Sequence, residues 1–385
     1  MQYDKEVWPA KLHLLFAFSP SSFLKSIRMN NRFTTLLLLL SVCCACCAAD
    51  WMARLDDSRR VCRVSIPGTH DACTGYGFLP EDTLLGNKIA RTQELNISQQ
   101  WAAGVRAFDL RPDVRNMGDT TRVLQVYHGA FATRQTFAGV FDVLRDSLRQ
   151  HPTEFAVIIM QHERNDGRDG SRWEQMADYV LAMNSDLLVD FRPDLTVGQM
   201  RGRILVLSRD RYNSLPRGGY VEGWRFDSDV DWHNLAVIKG CAQKGRLVVQ
   251  DFYNMTWEGG TPAKLAAIQR LLHLANSKKV ADADPDMWFV NHTSGYSITT
   301  SDFTPQPVST SDGYRANAAE TNRWLANLIE ARESTVKSRT KNNRPTRQRH
   351  VHTGLVMMDF AGVDRSGSYD VLGKRLVNAV IDSNF

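Results

Sequence analysis

Residues 155–160 read F-A-V-I-I-M, a continuous apolar run followed at once by the polar residues Q-H-E-R at 161–164. An apolar run of this length, without polar alternation, predicts a strand that is buried on both faces, as the strands of a parallel sheet are. Because polar residues follow directly, the carboxyl end of this strand is a place where reactive side chains can be held. The same combination recurs along the chain and therefore indicates the architecture of the whole.

Eight such runs predict an α/β fold, a single distorted (β/α) barrel of the TIM type. The predicted strands are Val61–Ile66, Gly104–Leu110, Val123–Tyr127, Phe155–Met160, Arg203–Leu207, Arg246–Gln250, Met287–Val290 and Gly354–Met358. The predicted helices between them are Phe137–Arg149, Ser171–Asn184, Pro262–Asn276 and Asn317–Ser334. Composition does not break along this alternation, which predicts one domain over residues 50–385.

The amino-terminal segment has the layout of a secretory signal peptide. Arg32 precedes the apolar run Leu36–Leu40, and small residues follow at 48–49, where cleavage is expected. Met29 stands just before this layout, so we interpret residues 1–49 as an upstream extension and a signal peptide, with Met29 as the start. The segment carries five Lys or Arg and two Asp or Glu, so its removal lowers the net charge from +5 to +2. We therefore expect a secreted protein or a surface lipoprotein.

Removal of that segment also reduces the seven cysteines to three, Cys62, Cys73 and Cys241. Three cysteines do not make a disulfide scaffold, and the sequence leaves open whether Cys62 and Cys73 pair. After residue 50 no stretch approaches 18 consecutive apolar residues, so the mature chain is not expected to span a membrane.

The charge of the mature chain is unevenly distributed. Residues 334–350, S-T-V-K-S-R-T-K-N-N-R-P-T-R-Q-R-H, carry six cations and no anion. We predict a solvated basic loop here, and the alternative is attraction to an anionic lipid surface. No aromatic residue interleaves with the cations, so nucleic acid is not an expected partner.

Polar residues follow each of the eight predicted strands. They are His70 and Asp71, Asp109 and Arg111, His128, Gln161–Arg164, Ser208 and Arg209, Asp251 and Tyr253, Asn291 and His292, and Asp359. Active sites of (β/α) barrels lie at the carboxyl ends of the strands, so we expect these side chains to converge on one site.

The residue types in this set favour phosphodiester chemistry. Two histidines, one neutral and one protonated, can act as general base and general acid when carboxylates such as Asp71 and Asp359 hold them. Arg111 can neutralise a phosphate diester without a divalent ion. This set of residues contains no zinc-spaced cysteine pair and no H-E-x-x-H motif, so no metal or other cofactor is expected. The set suits cleavage by a hydroxyl that the substrate itself supplies.

Three ordered motifs carry a resemblance to a known family. S-I-P-G-T-H-D at 65–71, F-D-L-R at 108–111 and Y-H-G at 127–129 resemble those of the bacterial phosphatidylinositol-specific phospholipases C, the X-domain family. Later segments, among them V-V-Q-D-F-Y at 248–253 and V-M-M-D at 356–359, continue the resemblance over nearly the whole mature chain. It implies a barrel enzyme that cleaves phosphatidylinositol to diacylglycerol and inositol 1,2-cyclic phosphate without a metal.

The resemblance also implies roles for the catalytic residues. His70 corresponds to the general base that activates the inositol 2-hydroxyl, and Asp359 to the carboxylate bonded to it. His128 corresponds to the general acid for the diacylglycerol oxygen, with Asp71 as its partner. Arg111 corresponds to the phosphate-binding arginine.

The remaining site residues are implied in the same way. Asp109 would orient the phosphate-binding arginine, while Arg209, Asp251 and Tyr253 would grip the inositol. Many bacterial members carry an inositol-contacting lysine after the fourth strand. His162, Glu163 and Arg164 stand there in this chain. Arg164 is the predicted substitute for that lysine, and the departure bears on inositol specificity rather than on phosphodiester chemistry.

The expected partner is phosphatidylinositol in membranes, with glycosyl-phosphatidylinositol anchors as a further substrate, for a monomeric peripheral protein. Membrane contact is expected from apolar side chains in loops at the catalytic face, namely Phe78, Leu79, Tyr296, Ile298 and Phe303.

Two alternative functions stay open. One is a related barrel phosphodiesterase that acts on another phospholipid or on glycerophosphodiesters, although the H-R-G start and clustered E-x-D of the latter enzymes are missing. The other is a catalytically silent lipid-binding module. The presence of His70, His128, Arg111 and Asp359 together argues against it.

Overall fold

Apolar strands and the helices between them close into a barrel in the computed structural model, which describes residues 50–117, 122–163, 170–256, 259–301, 304–341 and 350–385. In chain order the strands are β1 (Ile66–Thr69), β2 (Ala107–Leu110), β3 (Pro112–Asn116), β4 (Arg122–His128), β5 (Phe131–Thr136), β6 (Ala156–Met160), β7 (Ile204–Ser208), β8 (Gly219–Glu222), β9 (Ala236–Lys239), β10 (Lys244–Gln250), β11 (Trp288–His292), β12 (Ile298–Ser301), β13 (Thr304–Ser309) and β14 (Leu355–Met358). The barrel closes in the order β1-β14-β11-β10-β9-β8-β7-β6-β2. The predicted TIM-type barrel is confirmed.

The barrel core is built from the apolar runs that predict it. Every residue of β6 and β7 is buried, and the two strands pair in parallel with Ile158 opposite Val206. Branched aliphatic side chains suit a strand that packs on both faces. The first strand begins later than predicted, because Val61–Arg63 form a single 3₁₀ turn and β1 starts at Ile66.

One predicted barrel strand, Val123–Tyr127, lies outside the barrel. It belongs to β4, which pairs antiparallel with β3 and β5 in a separate three-stranded sheet. The chain leaves the barrel directly after Arg111, since Pro112 already starts β3 and pairs with Val126. His128 therefore reaches the barrel mouth from an attached hairpin and not from a barrel strand.

Two short barrel strands, β8 and β9, have no counterpart among the predicted ones. The chain passes from β7 to β8 without a helix, and β9 runs antiparallel to both β8 and β10. Gly218 makes this close passage feasible: its φ is 103°, and a Cβ there would lie 2.1 Å from the carbonyl oxygen of Val206. The distortion of the barrel is located in this section.

The four predicted helices are present. The longer helices are Phe137–Gln150, Gly170–Met183, Gly260–Ala275, Ser311–Lys341 and Gly373–Asp382, and the shorter ones are Thr83–Ile89, Ile97–Ala102, Val197–Met200 and Lys278–Ala283. The helix that starts at Ser311 runs to Lys341, so the predicted basic loop 334–350 is wrong for its first part, which continues the helix.

Some predictions fall on parts of the chain that the structure does not describe. The signal peptide and upstream extension (1–49), Arg164, Phe303 and the basic residues 342–349 all lie outside the described residues. Within the described part, no helix combines the length and apolar character needed to cross a bilayer.

Candidate active site

The carboxyl ends of β1 and β14 are tied together beneath the site. The His70 amide donates to the Met358 carbonyl oxygen. The buried side-chain amide of Gln93 donates to the carbonyl oxygens of both residues, at 2.8 and 2.9 Å. These bonds fix His70 next to Asp359, the residue that follows Met358. Sequence reasoning missed Gln93, because nothing in its local pattern distinguishes it from a loop residue.

His70 and His128 face each other across the barrel mouth. Their ring centroids are 6.0 Å apart and the rings are nearly perpendicular. His70 Nδ1 lies 2.8 Å from Asp359 Oδ1, and His128 Nδ1 lies 2.6 Å from the Ala90 carbonyl oxygen. A carbonyl oxygen only accepts, so the proton of a neutral His128 ring sits on Nδ1 and leaves Nε2 free to exchange protons.

Asp71 bridges the two imidazoles. Its Oδ2 lies 3.1 Å from His70 Nε2 and 3.2 Å from His128 Nε2. The backbone of Asp71 is left-handed, with φ of 45°, which turns the chain sharply after His70. The two nitrogens that could transfer protons thus converge on one carboxylate oxygen.

The carboxylates decide the charge of His70. Burial alone would lower the pKa of this ring, but Asp71 and Asp359 outweigh burial and raise it to about 9. Burial in turn raises the pKa of Asp359. His70 is therefore protonated at neutral pH in the free protein and must lose a proton before it can act as a base.

The Arg111 guanidinium is the central cation of the site. Its Nε lies 3.0 Å from Asp71 Oδ1, its Nη2 3.0 Å from Asp109 Oδ2, and its Nη1 3.6 Å from Glu163 Oε2. Burial opposes its charge, but Asp109 and Asp71 raise its pKa well above the usual value. The pKa of Asp109 is lowered, since Arg111 more than offsets its burial. Arg111 is thus held as a permanent cation with a fixed orientation.

Donor atoms that could bind a metal also meet here. His70, Asp71 and Asp109 offer ligand atoms within 4.8 Å of one another, the one group of this kind within the described ranges. The Arg111 guanidinium already pairs with both carboxylates of this group. The donor set is therefore matched to a guanidinium, and a divalent ion would have to displace it.

Glu163 connects the arginine to the hairpin that carries His128. Its Oε1 accepts a hydrogen bond from the Gly129 amide, and its Oε2 faces Arg111. Burial raises the pKa of Glu163. Sequence reasoning noted Glu163 after the fourth predicted strand but gave it no role, because the contact depends on the hairpin β4–β5 folding over the barrel mouth.

These residues line a cavity of about 330 Å³, which we call the carboxyl-end cavity. Its lining includes His70, Arg111, His128, Glu163, Arg209, Phe226, Asp251, Tyr253, Tyr296 and Tyr314. A cavity of this size with convergent polar groups is typical of a small-molecule site.

Another wall of the cavity combines polar and aromatic side chains. Asp251 Oδ2 accepts from Trp224 Nε1 at 2.7 Å and lies 3.9 Å from Arg209 Nη1. The guanidinium of Arg209 stacks over the rings of Trp224 and Phe226, at 4.6 and 4.8 Å from their centres. Tyr253 remains 39% exposed at the rim. All three predicted inositol-binding residues that are described line this wall.

Two buried bases lie behind this wall and were not predicted as part of it. His292 Nδ1 lies 3.5 Å from Asp251 Oδ1, and burial lowers its pKa to about 4, so the ring is neutral. Lys264 donates to Gln250 Oε1 and the Phe252 carbonyl oxygen, and burial lowers its pKa to about 7. Both hold the segment that presents Asp251 and Tyr253.

The predicted membrane-contact residues are only partly at the surface. Phe78 is fully buried, so its predicted insertion is wrong, and the helix Thr83–Ile89 covers it through Gly86. That helix instead exposes Leu84 and Leu85. Among the cysteines, Cys62 and Cys73 are free and buried, and no disulfide joins them.

Comparison with known proteins bears out the resemblance. No protein-family model matches the chain. It is similar to the 1-phosphatidylinositol phosphodiesterase of Listeria monocytogenes, with 25% identity over 312 residues that cover 76% of this chain and 84% of the relative. The enzyme of the same name from Staphylococcus aureus is 24% identical over 344 residues, 87% of this chain and 94% of the relative.

A solved structure, that of the phosphatidylinositol-specific phospholipase C of Listeria monocytogenes, matches with a TM-score of 0.59 and 21% identity. The match covers 88% of this chain and 99% of that one. The resemblance read from the ordered motifs to the bacterial phosphatidylinositol-specific phospholipases C is confirmed, and the structural likeness shows the shared barrel fold.

Proposed function

We propose that this protein is a phosphatidylinositol-specific phospholipase C that releases diacylglycerol and forms inositol 1,2-cyclic phosphate. The observation that carries the proposal is the pair of imidazoles 6.0 Å apart, with one carboxylate oxygen within 3.2 Å of both rings and a guanidinium beside it. The names of the similar proteins supply the substrate class, since they are 1-phosphatidylinositol phosphodiesterases.

In the proposed reaction the substrate attacks its own phosphorus. His70 Nε2 accepts the proton of the inositol 2-hydroxyl, and the resulting oxygen forms a bond to phosphorus. Arg111 stabilises the negative charge on the phosphoryl oxygens as it builds up. His128 Nε2 donates a proton to the diacylglycerol oxygen as its bond to phosphorus breaks. The cyclic diester is then hydrolysed slowly by water, with the two histidines exchanging roles.

The carboxylates tune this exchange. Asp359 holds the His70 ring through Nδ1, so that Nε2 faces the cavity. Asp71 lies against Nε2 of both rings in the free protein, so the substrate must take over these contacts when it binds. Because the pKa of His70 is raised to about 9, we expect turnover to increase with pH across the neutral range.

The head group is proposed to rest on the wall formed by Arg209, Asp251 and Tyr253. Arg209 and Asp251 would bind inositol hydroxyls, and Tyr253 would lie against a face of the sugar ring. Arg164, which follows β6 in the sequence and lies outside the described residues, is proposed to contribute as well. Glycosyl-phosphatidylinositol anchors are a proposed further substrate, because the cavity is open at its rim beside Tyr253.

Membrane contact is proposed for the same end of the barrel. Leu84 is 69% exposed and Leu85 46% exposed on a short helix that follows β1, on the side where the cavity opens. Apolar side chains at such a rim can insert shallowly into a bilayer. Secretion or attachment as a surface lipoprotein, through residues 29–49, and a monomeric state remain part of the proposal.

One observation favours a second candidate function, cleavage of another phospholipid. The carboxylate of Glu163 lines the cavity near the place where many bacterial members carry a lysine. A carboxylate there would favour a head group with hydrogen-bond donors or a positive charge over one with additional phosphates.

Phosphorus NMR tests the two candidates together. The protein is incubated with phosphatidylinositol vesicles in EDTA, and in parallel with phosphatidylcholine and phosphatidylethanolamine vesicles. We expect the cyclic diester to appear from phosphatidylinositol alone, before any monoester. Turnover of another lipid with phosphatidylinositol left intact would select the second candidate, and no turnover of any lipid would contradict both.

A further inference from the structure

A second cavity, of about 620 Å³, lies at the other end of the barrel. We call it the amino-end cavity and define it by Arg59, Arg63, Arg332, His350 and His352. Arg63 precedes β1 and His352 precedes β14, whereas the catalytic residues follow the same two strands. The two cavities therefore open at opposite ends of the molecule.

The arginines on one wall of the amino-end cavity have no anionic partner among the residues that the structure describes. Arg59 donates to the carbonyl and side-chain oxygens of Asn384, both at 3.1 Å, and to the Arg63 carbonyl oxygen at 2.7 Å. Arg63 donates to the carbonyl oxygens of Pro285 and Asp284, at 2.9 and 3.3 Å. All these acceptors are neutral, so the bonds fix the guanidiniums without cancelling their charge.

The opposite wall adds another cation. Arg332 lies on the helix Ser311–Lys341 and forms no ion pair with the described residues. His350 lies 3.4 Å from Glu333, whose other oxygen accepts from the Val351 amide. Glu333 is turned toward that backbone, and the described residues that line the cavity include no carboxylate. Cations from two separate elements thus line one cavity.

The pKa of His352, which lines the same cavity, is lowered in part by this charge. Burial and the guanidiniums of Arg63 and Arg59 lower the pKa of His352 to about 3. Burial also lowers the pKa of Arg59, as expected for a cation that lacks a counter-ion. An anion bound between the two walls would offset the cost of holding these charges together.

We propose that the amino-end cavity binds a small soluble anion that carries phosphate groups. Guanidiniums match phosphate oxygens in geometry and charge, and the volume suits a small molecule. A lipid surface does not fit the position, because a bilayer that contacts the catalytic mouth cannot reach the opposite end of the barrel. Nothing in the proposed phospholipase reaction uses this cavity.

Thermal unfolding in the presence of inorganic pyrophosphate tests the proposal. Pyrophosphate is titrated at constant ionic strength, with sodium chloride as the reference. We expect a saturable rise in Tm that sodium chloride does not produce. Arg332→Gln should weaken the apparent affinity about tenfold, because one guanidinium contact to phosphate is lost. Arg332→Lys keeps the charge and should lose less.

Two further variants locate the binding. Arg149→Gln removes an arginine that is exposed elsewhere on the surface and should leave the affinity unchanged. Arg111→Gln alters the catalytic centre and should also leave the rise in Tm in place. Binding that Arg111→Gln abolishes and Arg332→Gln keeps would assign pyrophosphate to the carboxyl-end cavity and overturn the proposal. The absence of any saturable rise would overturn it as well.

The consequence for activity separates this proposal from the proposed function. Arg332→Gln should leave phosphatidylinositol turnover within about twofold of the unmodified protein, since the residue lies at the far end of the barrel. A variant that loses pyrophosphate binding and keeps turnover supports two independent sites. Equal loss of both in Arg332→Gln, with an unchanged Tm, would contradict their independence.

Discussion

The two cavities of this barrel hold their charges in opposite ways. In the carboxyl-end cavity the Arg111 guanidinium lies 3.0 Å from both Asp71 and Asp109. In the amino-end cavity Arg59 and Arg63 donate only to neutral oxygens among the described residues. The first arrangement fixes the orientation of each group, but the carboxylates already neutralise most of the positive charge that could attract an anion. The second arrangement leaves the positive charge of the guanidiniums available to attract an anion.

This difference in charge pairing indicates which task each end of the barrel is suited to perform. Charges that are paired and fixed in advance can stabilise a transition state without reorganising when it forms. Charges that lack counter-ions favour binding, because a ligand supplies what the protein lacks. A phosphate group entering the catalytic centre must compete with carboxylates, so its binding there is tied to correct placement.

The largest expected effect is a loss of catalysis at the carboxyl end that leaves the amino end unaffected. His70→Ala or His128→Ala removes a proton-transfer group, and we expect release of cyclic inositol phosphate to fall about 10⁴-fold. Pyrophosphate binding at the amino end should be unaffected. The measurement is turnover of phosphatidylinositol vesicles, with circular dichroism as the check on folding. Retention of more than a tenth of the activity in either variant would remove that histidine from the mechanism.

The next effect tests whether the paired guanidinium does the work of a metal. Arg111→Gln should lower kcat/KM about 10³-fold, since the phosphoryl charge loses its cation. Arg111→Lys is the matched control and should recover part of the activity, because an ammonium lacks the planar fork. EDTA should not change the turnover of the unmodified protein. Loss of activity with EDTA and recovery with calcium would contradict the role of Arg111.

A smaller effect concerns the pH profile. The carboxylates raise the pKa of His70 to about 9, so kcat/KM should rise with pH toward that value as the base loses its proton. Asp359→Asn removes a negative charge beside the ring and should move this limb about one to two pH units lower. The plateau should fall as well, because the ring is no longer held. If the rising limb of the pH profile did not move in Asp359→Asn, a group other than His70 would control it.

The smallest expected effect concerns the pH dependence of the free energy of unfolding, to which the two ends should contribute with opposite signs. A raised pKa in the folded state makes the contribution of His70 complete below about pH 6.5 and lost as pH rises through 9. The lowered pKa of His352 gives the opposite sign, with stability lost as pH falls from about 6.5 toward 3. We expect the His70 contribution to the free energy of unfolding to be about 3 kcal/mol.

Urea unfolding at several pH values measures both contributions. The alkaline loss should be smaller in His70→Gln, and the acid loss should be smaller in His352→Gln. If each variant followed the unmodified protein across the whole pH range, the contrast between the two ends would not hold.

Sequence reasoning succeeded where the physics is local and failed where it depends on packing. The buried runs of β6, β7 and β10 predict barrel strands because their apolar character suits two covered faces. The run of β4 has the same character, yet its burial comes from an attached sheet. The strands β8 and β9 end in the charged residues Glu222 and Lys239, so neither forms a continuous apolar run that stands out in the sequence.

The site shows the same division. The order of polar residues after strands predicted His70, Arg111 and Asp359, since strand ends of a parallel barrel meet at one rim. Gln93 could not be found in this way, and Glu163, although it follows a predicted strand, could not be given a role. Their roles arise from contacts with carbonyl and amide groups that approach only in the folded chain.

The reversed direction of β9 gives this barrel freedom to diversify. Both ends of the loop between β8 and β9, residues 223–235, lie at the catalytic rim, and this loop carries Trp224 and Phe226. Its length can change at little entropic cost without breaking the closure of the barrel. Evolution or protein engineering could therefore replace this loop while the rest of the barrel stays unchanged. The grip on the sugar would alter, while the proton-transfer residues, carried by other strands, would stay in place.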